Sequence, residues 1–98
     1  MGEITVKFFT LLKLALNLSE IKIKTNEELS IKEVLEKICE MLDENKRKIL
    51  KQKLFSQDSL QSGVIILLNG QNILHLENLN TKAKAGDVIS IFPPGGGG

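Results

Sequence analysis

Few residues in this chain could do chemistry. There is one cysteine, Cys39, one histidine, His75, and neither tryptophan nor tyrosine. His75 has no sequence neighbour that would make it a metal ligand or a general base, which leaves it a structural or surface role. Cys39 lies between the apolar positions Ile38 and Leu42, where a thiol acts as a small hydrophobe, and no histidine stands beside it to lower its pKa. A single cysteine makes neither an internal disulfide nor a thiolate cluster, so no metal is expected and a reducing cytoplasm is the simplest setting. "KRKILKQK", Lys46 to Lys53, holds five basic residues in eight. Glu36, Glu40, Asp43 and Glu44 precede it and no aromatic residue interleaves as a base-stacking platform would require. It reads as a solvated helix face or a protein-docking patch, and direct nucleic-acid binding is not expected.

The remaining candidate is "FPPGGGG", Phe92 to Gly98. Four glycines have no side chains to pack and the most backbone entropy to lose, so they add nothing to a core. A bare oligoglycine reads most plainly as a linker. Here, however, Phe92 ends an apolar strand, and Pro93 and Pro94 stop sheet pairing and favour an extended exit, so the glycines begin at a defined point and direction. At about 3.1 Å per proline and roughly 3.5 Å per glycine, the arm carries a terminal carboxylate about 20 Å from the sheet. A carboxylate to be activated inside a narrow channel is best carried by backbone alone, because a Cβ would widen the thread and restrict φ. A resting carboxylate acylates poorly, so chemistry at Gly98 requires activation by a partner, most simply as a mixed anhydride with AMP. The chain has no P-loop with which to bind ATP itself.

These groups must be positioned by one small domain. Ninety-eight residues, 42% hydrophobic and 26% charged, fit a single globular core. Thirteen basic against twelve acidic residues give a formal charge of +1, which is no global field for nucleic acid or anionic lipid. No apolar run approaches the roughly 18 residues of a membrane span and no signal-like segment opens the chain, so a soluble, unexported, cytoplasmic protein is expected.

Ile4, Val6 and Phe8 alternate with Glu3, Thr5 and Lys7, a strand buried on one face. "EIKIK" repeats the alternation, and the short separation predicts an antiparallel hairpin with a broad loop over "TLLKLALNLS". Ile31, Val34, Leu35, Ile38 and Leu42 recur at helical spacing from Ser30 to Asp43. Ser30 and Glu33 form a capping box and Leu29 can staple onto Val34. A shorter helix is predicted from Asn45 to Phe55, and "SQDSLQSG" reads as a polar loop. "VIILL" suits a strand covered on both faces or a sheet interior, Asn69-Gly70 reverses it into a short return strand through Ile73, and "KAGD" turns the chain into the last strand, "VISIF". The sum is a two-layer α+β domain.

On these residues the chain resembles the ubiquitin-like sulfur carriers, especially the small subunit of molybdopterin synthase and the thiamine-pathway carrier. The segments that carry the resemblance are "ITVKFFTLLKLA", "LSIKEVLEKICEML", "VIILLNGQNI" and "LNTKAKAGDVISIFPPGGGG". The resemblance implies a β-grasp fold over residues 1–92, with about five strands of mixed sheet on one main helix and a shorter second one, and a flexible tail over 93–98. It implies a protein co-substrate that binds no cofactor and has no independent active site. An E1-like enzyme using ATP would adenylate Gly98, and a persulfide sulfur donor would convert it to a thiocarboxylate. Gly97, Gly96, Gly95, Pro94 and Pro93 match the segment that enters the partner, the molybdopterin synthase large subunit or another sulfur acceptor. Phe92, with Phe8 and Phe9 as candidates, falls to the docking surface. The alternatives are a protein modifier joined to lysines, a tRNA-thiolation or thiamine carrier, and a β-grasp adaptor with an inert tail. Two departures stand out: Gly95 and Gly96 replace residues that are more often not glycine, and the segment 45–63 is longer than in compact members.

Overall fold

The computed structural model describes residues 2–94. Its main sheet is built from β1 (Gly2–Phe8), β2 (Glu20–Thr25), β6 (Ile65–Leu68), β7 (Gln71–Asn72) and β9 (Val88–Phe92), in the order β2-β1-β9-β6-β7. β1 and β9, the first and last strands, run parallel side by side, and every other pairing is antiparallel. This is the β-grasp arrangement, with the chain's final strand in the middle of the sheet.

One face of the sheet is covered. Ile4, Val6 and Phe8 of β1, Ile23 of β2, Ile66 and Leu68 of β6 and Ile89 and Ile91 of β9 are all buried. Against them pack Ile31, Val34, Leu35 and Ile38 of α2 (Ile31–Met41). Leu12 and Leu16 of α1 (Thr10–Leu16) and Leu50 and Leu54 of α3 (Glu44–Leu54) complete the core.

The start of α2 is the one expected: Ser30 Oγ accepts from the Glu33 N–H at 3.0 Å and Glu33 Oε1 accepts from the Ser30 N–H at 2.9 Å. Its end comes earlier than expected, at Met41, because Asp43 is the cap of the next helix; its carboxylate accepts from the Lys46 N–H at 2.8 Å.

Two further features differ from the sequence expectation, and at β6 the structure selects the sheet-interior alternative. The broad β1–β2 loop contains the helix α1, held by Leu12 and Leu16 in the core. The polar loop after α3 carries a small hairpin of β4 (Phe55–Ser56) and β5 (Ser59–Leu60). β6 is interior in the sheet but covered on one face only, with Ile65 43% exposed on the other. A second two-stranded ladder joins β3 (Leu29–Ser30) to β8 (Lys82–Ala83). The β6–β7 turn is the expected one: Asn69 and Gly70 both have positive φ, 50° and 87°, as a type I′ turn requires.

Candidate functional site

β9 leads directly into Pro93 and Pro94, so whatever fixes β9 fixes where these two residues leave the sheet. Its register is locked at the start by a side-chain bridge from the β6–β7 turn. Asn69 Nδ2 donates to Asp87 Oδ1 at 3.0 Å, and the Val88 N–H donates to Asn69 Oδ1 at 2.9 Å. Asp87 Oδ2 also accepts from the Lys84 N–H at 2.9 Å, and Lys84 Nζ lies 3.6 Å from Oδ1. Desolvation pushes the Asp87 carboxyl up. The Lys84 backbone N–H, the Asn69 amide and the Lys84 ammonium outweigh it and hold the group below the usual carboxylate range.

Period-two alternation along β9 sends Ile89 and Ile91 into the core and turns Val88, Ser90 and Phe92 to the open face. The register then sets Ile65 opposite Phe92, Leu67 opposite Ser90 and Thr5 opposite Val88. Beside Phe92, the Phe9 N–H donates to the Ile91 carbonyl at 3.1 Å, extending the β1–β9 pairing one residue past β1. The Phe9 and Phe92 rings stack with centroids 4.6 Å apart and planes 13° from parallel. The tail therefore leaves beside an apolar strip on the open face made of Phe9, Phe92, Ile65, Leu67 and Val88.

Of the predicted docking residues, Phe9 and Phe92 share this strip. Phe8 does not: it is 1% exposed and packs in the core, because it continues the alternation of Ile4 and Val6. That alternation already assigned Phe8 to the buried face. The same rule applied to "VISIF" would have found Val88 as Phe92's face-mate, whereas Ile65 needed the cross-strand register. Pro93 is buried and Pro94 is half-buried, so the packed body extends past the expected boundary at Phe92. Gly95, Gly96, Gly97 and Gly98 lie outside the described residues.

Cys39 is half-buried and lines an open groove of about 1060 Å³ together with Leu35, Lys51, Phe55 and Leu79; desolvation pushes its thiol up, away from reactivity. His75 is exposed in a short 3-10 turn at Ile73–His75. The basic stretch is partly consumed by structure. Arg47 Nε donates to the Cys39 carbonyl at 2.8 Å and Nη2 to the Leu42 carbonyl at 3.1 Å, closing the C-terminal end of α2, and Lys48 lies 3.8 Å from Glu44 on the surface. No helix among the described residues is long and apolar enough to cross a membrane.

Comparison with known proteins agrees with this geometry. The family model described as the ThiS family matches residues 6–98. Small archaeal modifier protein 3 of Haloferax volcanii is 25% identical over 96 residues, which cover 98% of this chain and 99% of that protein. A putative sulfur carrier protein of Archaeoglobus fulgidus is 29% identical over 72 residues, 74% of this chain and 77% of that one. The solution structure of small archaeal modifier protein 1 from Methanosarcina acetivorans matches with a TM-score of 0.76 at 30% identity, covering 100% of this chain and 98% of that one. The matched region contains all of the sheet but the first four residues of β1, and it runs through the whole glycine tail; on that ground the chain belongs to the ThiS family of ubiquitin-like sulfur carriers.

Proposed function

We propose that this chain is a protein co-substrate of the cytoplasm whose Gly98 carboxylate is adenylated by an E1-like enzyme and converted to a thiocarboxylate, which donates sulfur to a pterin precursor on the large subunit of molybdopterin synthase. The observation that carries the reading is the exit of the glycine tail from the central strand, beside an open apolar strip, with its first residue, Pro93, packed into the body. Packing as far as Pro94 leaves four residues, at most about 14 Å of extended chain, between the body and the carboxylate. A partner that docks on the strip must hold its reactive centre within that reach.

The chemistry belongs to the partners. A Gly98 oxygen attacks the α-phosphorus of ATP and pyrophosphate leaves, giving an acyl adenylate. The terminal sulfur of a donor persulfide then displaces AMP, and a second thiol cleaves the acyl disulfide to release the thiocarboxylate and a donor disulfide. This chain contributes the thin backbone that reaches the site, the sheet that aims it and the face that docks.

A second reading, conjugation of Gly98 to a lysine amine, is favoured by the names of two relatives, both called modifier proteins. It shares the adenylation step and differs in the acceptor, as do delivery to thiamine and to thiolated tRNA. ATP–pyrophosphate exchange with the E1-like enzyme of the native cell tests the shared step: the full chain supports exchange and a chain lacking Gly97-Gly98 does not. No exchange with the full chain would leave the inert-tail adaptor. Deleting the gene and measuring molybdopterin, thiamine and thiolated tRNA identifies the acceptor, and loss of molybdopterin is expected.

A further inference from the structure

The segment between α3 and β6 ends on the tail. Gly63 has φ +93°, a left-handed conformation that side chains rarely adopt, and a Cβ placed there would stand 3.5 Å from both Cα and Cβ of Pro94. Pro94 therefore faces Gly63 on the side where a Cβ would point, at ordinary van der Waals distance from that position. The turn that presents Gly63 is held from both sides. On the α3 side, the Gln61 N–H donates to the Leu54 carbonyl at 2.8 Å and the Gln61 side-chain amide donates to the Phe55 carbonyl at 3.1 Å. On the other, the Val64 N–H donates to the Gln61 carbonyl at 3.2 Å and Ile65 pairs with Phe92.

We infer that the Gln61–Val64 turn is a brace for the tail, with Gly63 as a positioning residue that sets the direction in which the chain leaves Pro94. The long segment 45–63 gains a role by this: α3 and its hairpin hold up the brace. It also gives the extra glycines a place, because the launch direction is set upstream of them by Pro94 on Gly63. A fixed launch lowers the conformational entropy to be lost when the tail enters a partner. The inference rests on the proposed activation of Gly98, and Gly63 acts through Pro94 without touching the reacting atoms.

Two variants test it. Gly63→Val places a branched side chain against Pro94 at an unfavourable φ, and Pro94→Gly removes the braced ring while leaving the body's backbone unstrained. In ATP–pyrophosphate exchange each lowers kcat about tenfold or more with KM unchanged, because the docking strip is intact while fewer docked tails are aligned. The double variant is no worse than Pro94→Gly alone, since both remove one contact. A merely structural role would lower the melting temperature of Gly63→Val and leave kcat of Pro94→Gly at the wild-type value, which overturns the inference, as do additive losses. A proton–proton NOE between Gly63 and Pro94 in the wild-type chain reads the brace without activity. Its absence overturns the brace whatever the enzyme does; its presence in a chain that is never adenylated supports the brace and overturns the functional reading.

Discussion

The ring of Phe9 lies on that of Phe92, centroids 4.6 Å apart and 13° from parallel, across the one parallel pairing in the sheet. The pair ties the exit of β1 to the exit of β9, so the stack stabilises the point from which the tail departs. Phe9→Ala, Phe92→Ala and the double variant, unfolded in urea, form a cycle whose coupling energy is expected at about 0.5–1.5 kcal/mol. A coupling of zero would mean that the rings are neighbours without interaction.

Asp87 makes stability depend on acid. Its carboxyl is held below the ordinary range, so its contribution is fully present above about pH 4, the unfolded value, and is lost as pH falls through the lower folded value. Glu33, lowered chiefly by the Ser30 backbone N–H, acts in the same direction, so a comparison with a variant isolates Asp87. Asp87→Ala costs about 1–3 kcal/mol at neutral pH by removing hydrogen bonds to a charged group. The gap between variant and wild type narrows on acidification; a constant gap down to low pH would contradict the assignment.

Arg47 separates from the other basic residues of α3. Arg47→Ala strips two donors from the end of α2 and costs about 1–3 kcal/mol in chemical denaturation. Lys46→Ala and Lys53→Ala stay within about 0.5 kcal/mol. Equal effects at all three positions would make Arg47 one more surface charge.

Thr10 opens α1 with φ 53°, a left-handed conformation unusual for a β-branched residue, and its side chain is exposed. Left-handed backbone costs an ordinary residue about 1–2 kcal/mol, part of which glycine returns as unfolded-state entropy. Thr10→Gly is therefore expected to raise stability by about 0.5–1 kcal/mol, and a drop in melting temperature would show that the conformation is not strained.

What could be read from the sequence follows from how local each signal is. The start of α2 was legible because Ser30, Glu33 and the apolar spacing lie within one turn of each other. β1, β2 and β9 were legible because alternation needs no partner. α1 was not: it is seven residues long, Leu11 and Leu14 on it are 52% and 74% exposed, and a bundle of leucines with no cap residue carries no clear period. The Arg47 closure of α2 joins residues eight apart across a helix break, and the Pro94 contact joins the tail to a turn thirty-one residues upstream. Neither leaves a mark in composition. At the tail, residue types prompted the proposal of activation at Gly98, while the packed extent, as far as Pro94, needed coordinates.

The central claim is that Gly98 is chemically activated, and mass spectrometry of the C-terminal peptide of protein isolated from its native cell tests it most directly. The account predicts a C-terminus in which sulfur has replaced one carboxylate oxygen, lost on deletion of the E1-like enzyme; an isopeptide to lysine in its place would select the conjugation reading. A C-terminal peptide of Gly98 that is unmodified, alike with and without that enzyme, would contradict it.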